Sequence, residues 1–445
     1  MSWKKIYEKR LMSPEAIAAA LPKEATIFAS PAASFPLELI NAITAAPTTE
    51  AVTMYSAMIM TQPDFLSPEQ RGRLHYRCCF MGPLERMLLD RKDDITPFSV
   101  TFSRIHELVR HIGFDATILE VSPPDEHGYM SLGPSGTLLG HPALAASEKI
   151  YCQVNDQTPY IFGSQAHIHV SDVAGLCEVS RPCAELPATE PDAVDETIAD
   201  LITARIPDGA TLQLGIGKLA DAIGDRLTDK KDLGIHTELL TPSMVRLHDM
   251  GVITGARKEL HPGKIISAFG MGAARDYRFM HKNPVFEMYP AHYVNDPAII
   301  GAHSNFVSIN NALAVDLTGQ VSSESIGFQQ HSATGGQLDF VRGARLSKGG
   351  QSFIAMKSTS GSGDRRFSRI QTCLLPGTAV TTPRSDVQSI VTEYGIAELD
   401  HKTIPERVTA LIAIAHPDFR EELARDAVQA GLISAEALKD SQLAA

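Results

Sequence analysis

Apolar residues in this chain fall into two kinds of stretch that take turns along it: short runs suited to strands, and faces spaced three and four residues apart, suited to helices. Ser13-Pro14-Glu15 opens a helix carrying Ile17, Ala18 and Leu21, and Pro22-Lys23-Glu24 turns into a strand over 25–29. Small residues at 30–34 precede a helix over 37–43, and strands follow over 52–55, 114–121 and 150–154. Between the last two, Pro123-Pro124-Asp125-Glu126-His127-Gly128 marks a turn that returns through Tyr129 to Gly133. The stretch 181–192 is proline-rich and acidic, the composition of a linker. Beyond it Val194, Ile198, Leu201, Ile202 and Ile206 share a helical face, with Asp192, Asp195 and Glu196 in the first turn, where negative charge is favoured.

Residues 211–251 carry the sharpest pattern. A strand over 211–214, the turn Gly215-Ile216-Gly217, and a helix over 218–227 with Leu219, Ala222, Ile223 and Leu227 on one face lead to a second strand over 233–237 that closes on Glu238. Thr241 then suits an N-cap, Pro242 the first helical position and Gly251 the residue just past the helix end. Further on, 306–315 reads as one apolar strand and 316–321 as a hairpin. Residues 335–340 read as a loop whose paired Gly335 and Gly336 expose backbone, and 347–350 and 360–363 as turns. Helices over 404–415 and 417–430, the last stopped by Gly431, close the pattern.

The two halves resemble each other. Leu21-Pro22-Lys23-Glu24-Ala25-Thr26 sits after a helix and before a strand, a small-residue turn and a helix. Ile206-Pro207-Asp208-Gly209-Ala210-Thr211 repeats that setting roughly 185 positions later, and Ser171-Asp172-Val173 returns as Ser385-Asp386-Val387. The expected fold class is therefore α/β, as two similar open α/β/α domains: 1–183, a linker over 184–192, and 193–445.

Composition narrows the partners. At 445 residues and 44% apolar content the chain exceeds one ordinary domain. Its formal charge is −12 and its 40 basic residues are dispersed, which argues against nucleic acid or an anionic membrane but leaves a small anion open. The six cysteines (Cys78, Cys79, Cys152, Cys177, Cys183, Cys373) show no C-x-x-C spacing and read as reduced core residues of a cytosolic protein. The first residues lack an apolar core of the signal type, and no apolar run approaches the ~20 residues of a membrane span. A soluble cytoplasmic protein with small-molecule substrates is the expectation.

Open α/β sheets meet their ligands at the carboxyl ends of strands, where both the glycine turn and Glu238 fall. Gly215-Ile216-Gly217-Lys218-Leu219-Ala220 fits G-x-G-x-x-A, and an acid follows about 20 residues on, as a dinucleotide fingerprint asks. The same residues fit a nucleophilic carboxylate with a turn of backbone N–H donors, and also a plain tight turn with a solvent-facing Glu. The stretch alone leaves all three open. Other constellations are weaker. Gly361-Ser362-Gly363 lacks the G-x-S-x-G flanks. His167 and His169 share a strand face, but no third ligand stands at a telling spacing, so no metal is expected. Nothing near Cys78-Cys79 would lower a thiol pKa. Lys348 and Lys357, amid glycine turns, are phosphate contacts or solvated surface.

Taken with Thr237-Glu238, Asp316-Leu317-Thr318-Gly319-Gln320 and Gly335-Gly336-Gln337-Leu338-Asp339-Phe340, the glycine turn resembles the acetyl-CoA hydrolase/transferase family, nearest to its 4-hydroxybutyrate and butyrate:acetate CoA-transferases. The resemblance runs nearly end to end, through Ser122-Pro123-Pro124-Asp125-Glu126-His127-Gly128, Val391-Thr392-Glu393-Tyr394-Gly395-Ile396-Ala397 and Ala415-His416-Pro417-Asp418-Phe419-Arg420. It implies domains of the CoA-transferase type and an acyl-CoA:carboxylate CoA-transferase working by ping-pong through a glutamyl-CoA thioester on Glu238. Coenzyme A would then be a substrate, with no tightly bound cofactor. The family's CoA-contacting segment falls on Gly215, Ile216, Gly217, Lys218 and Leu219, with further contacts on Leu313 and Gly336. Gly335 would supply an oxyanion donor, and an Asn near the catalytic Glu falls on Asn295. Where the family has Pro after the turn, this chain has Leu219 and Ala220. A homodimer or larger homo-oligomer is implied. Hydrolysis of acyl-CoA by the same Glu is the alternative, and an NAD-dependent oxidoreductase the reading from another class; the latter accounts for neither Gly335-Gly336 nor the repeated domain. The acid stays open among acetate, butyrate, 4-hydroxybutyrate and dicarboxylates such as succinate or itaconate. A dicarboxylate would need a second cation, for which Arg71, Arg73, Arg77 and Arg86 are candidates.

Overall fold

The computed structural model describes residues 2–67, 70, 72–88, 94–187 and 189–440. Strands β1 (Glu24–Ala29), β2 (Ala51–Ser56), β3 (Leu74–Cys78), β4 (Ile95–Pro97), β5 (Phe114–Val121), β6 (Ser147–Asn155), β7 (Phe162–Gly163) and β8 (Gly175–Val179) come first. They are followed by β9 (Thr211–Leu214), β10 (Gly234–Leu240), β11 (Ile265–Gly270), β12 (Phe286–Met288), β13 (Phe306–Asn311), β14 (Gln351–Ala355), β15 (Ser389–Thr392) and β16 (Gly395–Glu398).

One sheet runs β8-β6-β5-β1-β2-β3-β4, parallel throughout. The other runs β16-β15-β14-β13-β9-β10-β11-β12-β7; its resolved ladders are parallel except for β16, antiparallel on β15. Without β16 and β7, the second order repeats the first strand for strand. β1 answers to β9, β2 to β10, β5 to β13, and β8 to β15, with Ser171-Asp172-Val173 and Ser385-Asp386-Val387 each just ahead of the last pair. The same winding twice is what the recurring Leu21–Thr26 and Ile206–Thr211 segments anticipate.

The chain packs into two compact units, Met1–Pro187 with Thr237–Val245 and Lys264–Asn295, and Ala188–His236 with Arg246–Gly263 and Asp296–Ala445. It passes from one to the other within β10, between His236 and Thr237. In the first unit, α1 (Trp3–Arg10), α2 (Pro14–Ala19), α3 (Leu37–Ala45) and α4 (Ile105–Ile112) accompany the sheet. Ile27, Met54 and Ile118 on the strands bury Ile17 of α2 and Leu39, Ile40 and Ile43 of α3. Ser13 caps α2 by accepting from Ala16 N at 3.2 Å. In the second unit lie α5 (Ala193–Thr203) and α6 (Lys218–Arg226). Then come α7 (Pro242–Asp249), which begins in the first unit, and α8 (Ala291–Val294), which belongs to it. Helices α9 (Gln337–Leu346), α10 (Ile404–Ala413) and α11 (Pro417–Gln429) also belong to the second unit, with a core of Val315, Ile354, Ile390, Val408 and Leu411.

Several expected elements shift. Helix α1 has no counterpart in the sequence pattern: its Lys and Glu residues mask a face on which only Trp3, Ile6 and Tyr7 pack inward. Asp192 is the N-cap of α5, accepting from Val194 N and Asp195 N, not a first-turn residue. The strand expected over 306–315 is two: exposed Asn311 ends β13, and past it Leu313 N pairs with Ser322 O instead of continuing the parallel ladder. Residues 337–340 open α9 and are not loop, since Phe340, Val341 and Ala344 are buried at helical spacing and Phe340 N donates to Gly336 O at 3.1 Å. Among the described residues, no helix is long and apolar enough to cross a membrane.

Candidate active site

Glu238 does not close its strand as the pattern predicts; β10 continues through Leu240. Leu239 is 4% exposed and Leu240 wholly buried, so their burial carries the strand on, and Leu240 O accepts from Met271 N. Alternation along β10 puts Ile235, Thr237 and Leu239 on one face and His236, Glu238 and Leu240 on the other. Glu238 is half-buried between fully buried neighbours.

The residue beside it comes from α8, a single turn ended by Asn295, whose N–H donates to Ala291 O at 2.8 Å. Asn295 is wholly buried, and its Nδ2 donates to Glu238 Oε2 at 2.7 Å. Its Oδ1 is buried with no hydrogen-bond partner among the described residues. The amide thus fixes one carboxylate oxygen of Glu238 in place. Were that carboxyl to become an acyl group, the same N–H would face its carbonyl oxygen, the geometry an oxyanion donor requires.

In the second unit the strand end of β9 leads into the glycine turn, and Gly215 N donates to Ile309 O of β13 at 3.1 Å. Gly217 has φ +98° and a Cβ there would meet nothing within 4 Å. It is therefore backbone conformation, and not crowding, that asks for glycine. Gly217 caps α6 without a side chain, so the first N–H groups of that helix have no side-chain acceptor from the cap. Ile216 (39% exposed), Gly217 and Lys218 are exposed, while Leu219 is buried. Asn311, at the end of the neighbouring β13, donates from Nδ2 to Ile216 O at 3.2 Å and pins the turn. Two residues on, half-buried Leu313 has its backbone tied on both sides, N to Ser322 O and O to Arg369 Nε at 2.9 Å. Gly335 (φ +59°) and buried Gly336 precede α9, which leads into β14 beside β13. The structure thus groups Glu238 with Asn295 in the first unit, and Gly215 to Leu219, Leu313, Gly335 and Gly336 belong to the second. Asn311 escaped the sequence reading; the polar pair Asn310-Asn311 ending an apolar run was its signal.

The rival constellations resolve into ordinary roles. Glu238 lies inside its strand and is engaged by Asn295, unlike the strand-end acid of a dinucleotide site. His169 meets Ser171 Oγ at 2.7 Å and His127 O at 3.1 Å, the His167 ring lies tilted against that of Tyr160, and burial holds the His167 pKa low. No group of three His, Cys, Asp or Glu suited to a metal occurs among the described residues. Lys357 pairs with Asp192 and Asp195. Arg73 donates to Thr44 O at 3.0 Å and Arg77 to Thr96 Oγ1 at 2.7 Å, while Arg71 lies outside the described residues.

Five cysteines are buried, as expected, but Cys373 is exposed. Burial pushes the Cys79 and Cys183 thiols up to about 12, so neither supplies a thiolate at neutral pH. A chromogenic disulfide reagent is expected to titrate one thiol rapidly in the native protein and all six in denaturant; fast labelling of a second native thiol would contradict this burial.

A buried acid also went unnoticed in the sequence. Glu120, on β5, is wholly buried and bonded to Arg181 Nη2 at 2.5 Å, Gln153 Nε2 at 2.7 Å, Asn155 Nδ2 at 3.2 Å and Thr158 Oγ1 at 3.3 Å. With both oxygens saturated it is an anchor of the first unit, not a free base.

Comparison with known proteins gives a consistent picture. The acetyl-CoA hydrolase/transferase N-terminal domain matches residues 94–204 and the corresponding C-terminal domain residues 272–427. The 4-hydroxybutyrate coenzyme A transferase of Clostridium kluyveri is 38% identical over 427 residues, 95% of this chain and 98% of that one. The succinyl-CoA:cyclohexane-1-carboxylate CoA transferase of Geobacter metallireducens is 41% identical over 365 residues, covering 81% and 82%. The crystal structure of RipA from Yersinia pestis superposes with a TM-score of 0.91 at 35% identity, covering 97% of this chain and 100% of that one.

Proposed function

The chain belongs to the acetyl-CoA hydrolase/transferase family, and from that premise we propose that it transfers coenzyme A between carboxylic acids through a thioester on Glu238. The observation that carries the reading is the half-buried Glu238 carboxylate held at 2.7 Å by the amide of wholly buried Asn295. Its acids are small carboxylic acids of the kind named for its relatives: 4-hydroxybutyrate, cyclohexane-1-carboxylate and, with butyryl-CoA, acetate.

In the first half-reaction a carboxylate oxygen of Glu238 attacks the thioester carbonyl; the C–S bond breaks, leaving a mixed anhydride and CoA thiolate. The thiolate then attacks the glutamyl carbonyl of that anhydride, expelling the first acid as its carboxylate and leaving glutamyl-CoA. A second carboxylate reverses both steps, so no net proton is consumed. Asn295 Nδ2 orients the attacking carboxylate and donates to the glutamyl oxygen as negative charge gathers there. The N–H groups of Gly215 to Leu219, with Leu313 and Gly336, are assigned to CoA, and Gly335 to the developing oxyanion. A homodimer or larger assembly in the cytoplasm goes with this reading; the support for the compartment is five buried thiols without a disulfide.

Mixing the protein with an acyl-CoA donor alone, reducing with borohydride and mapping peptides tests the thioester: Glu238 should be the modified residue. Donor turnover with Glu238 unmodified would refute it. Adding carboxylate to the same mixture separates transfer from hydrolysis, because a transferase diverts product to the new acyl-CoA and a hydrolase does not. Asn295→Ala is expected to lower kcat by about 10²–10³-fold, as loss of one oxyanion donor does, with little change in KM for acyl-CoA.

A further inference from the structure

The turn that ends at Asn295 carries a second functional group. His292 stands three residues before Asn295 and therefore on the same face of α8. Helix α4 and the turn Phe102–Arg104 pack against α8, and the His106 ring lies against that of His292 with centroids 5.0 Å apart. Arg110, one turn along α4 from His106, completes the group. Burial first, then His106 and Arg110, lower the His292 pKa below the usual histidine value, and no carboxylate acts on it in the opposite sense. His106 Nδ1 lies 3.1 Å from Ser103 O. The nearest acid in sequence, Glu107, is committed to Arg104 at 2.8 Å. Neither Arg110 nor His292 has a hydrogen bond or ion pair to a carboxylate among the described residues.

A guanidinium beside two half-buried imidazoles offers an anion one fixed positive charge and ring N–H donors, and an anion bound among them favours the protonated imidazoles. We propose that His106, Arg110 and His292 form an oxyanion-binding subsite beside the Asn295–Glu238 pair, taking a carboxylate or phosphate group of the substrate. The two sources are the distal carboxylate of a dicarboxylic acid and a phosphate of coenzyme A. The first would supply the second cation that dicarboxylate transfer needs, from residues other than Arg73 and Arg77, which are engaged elsewhere. The choice of these ligands rests on the CoA-transfer reading.

The test titrates full-length protein and the double variant Arg110→Gln/His292→Gln calorimetrically with succinate, butyrate, CoA and 3′-dephospho-CoA. Losing charge-assisted contacts should weaken the affected ligand about tenfold or more. Weaker succinate with unchanged butyrate assigns the distal carboxylate; weaker CoA with unchanged 3′-dephospho-CoA assigns the 3′-phosphate, and equal weakening of both nucleotides the pyrophosphate. Changes below about twofold for succinate and for both nucleotides overturn the subsite, as does a wild-type protein that binds none of them. Should the double variant fail to fold, Arg110→Gln alone, at an exposed helix position, carries the same titrations. Exchange of label between acyl-CoA and its free acid by the wild type is measured separately with acetate, butyrate, 4-hydroxybutyrate and succinate: its absence with all four sinks the transfer reading, whereas exchange with no ligand effect sinks only the subsite.

Discussion

Glu238→Gln is expected to abolish CoA transfer, lowering kcat by about 10⁴-fold or more, the scale seen when a covalent nucleophile is removed. The amide cannot form the anhydride, because an uncharged nitrogen or oxygen of Gln is a far weaker nucleophile than carboxylate. The structure makes this a clean test. Gln fills the same half-buried volume, and its Oε1 can accept from Asn295 Nδ2 as Glu238 Oε2 does, so the hydrogen bond survives. Thermal stability should hold within about 1 kcal/mol. Glu238→Asp keeps the charge but withdraws it by one methylene, and misplacement on the order of 1 Å should cost about 10²-fold. An ordering of wild type, Asp, Gln therefore separates nucleophilic from electrostatic roles. Asp turning over as fast as wild type while Gln fails would mean that the carboxylate acts through its field alone, and Gln, checked by mass for deamidation back to Glu, turning over as fast as Asp would mean that neither its attack nor its charge is needed.

The α/β winding was legible because it depends on periodicity and on short recurring segments, and both survive in a single sequence. Leu21–Thr26 and Ile206–Thr211 predicted two similarly wound halves, and the strand orders repeat accordingly. Glu238 was legible for a local reason: it follows a strand, a glycine turn and a helix at spacings that already place it near a ligand edge. Its partner was not. Asn295 lies 57 residues away in sequence, on a one-turn helix too short to show any period, and only the resemblance to a known family pointed there. His292 and His106 are 186 positions apart (292 − 106) and meet because α4 packs on α8, a tertiary fact with no trace in local pattern. The misread loop at 337–340 shows the opposite failure. Two glycines outweighed the helical spacing of Phe340, Val341 and Ala344, because local turn chemistry and burial gave opposite answers and burial won.

Arg181→Met is expected to destabilise the first unit by about 3–5 kcal/mol at neutral pH, the cost of leaving a buried charge without its partner. Glu120 is wholly buried and the Arg181 side chain 15% exposed, so water cannot replace the lost guanidinium. Burial pushes the Glu120 carboxyl above the usual carboxylate range, while Arg181, Asn155 and Gln153 pull it down. Removing Arg181 takes away the largest of those opposing pulls, and the folded-state pKa rises further. An acid whose pKa is higher folded than unfolded favours folding at low pH and loses that contribution as pH rises through the folded value. The penalty in the variant should accordingly be largest at neutral and alkaline pH and shrink on acidification, as Glu120 takes up a proton and the buried charge disappears. Adding Glu120→Gln should recover much of the loss at neutral pH and flatten the pH dependence, because Gln leaves no charge to strand. Denaturant titrations of the three variants across pH measure the coupling directly. A penalty of about 1 kcal/mol or less that did not vary with pH would mean the pair is solvated, and Glu120 would then no longer be an anchor of the fold but an acid available to chemistry.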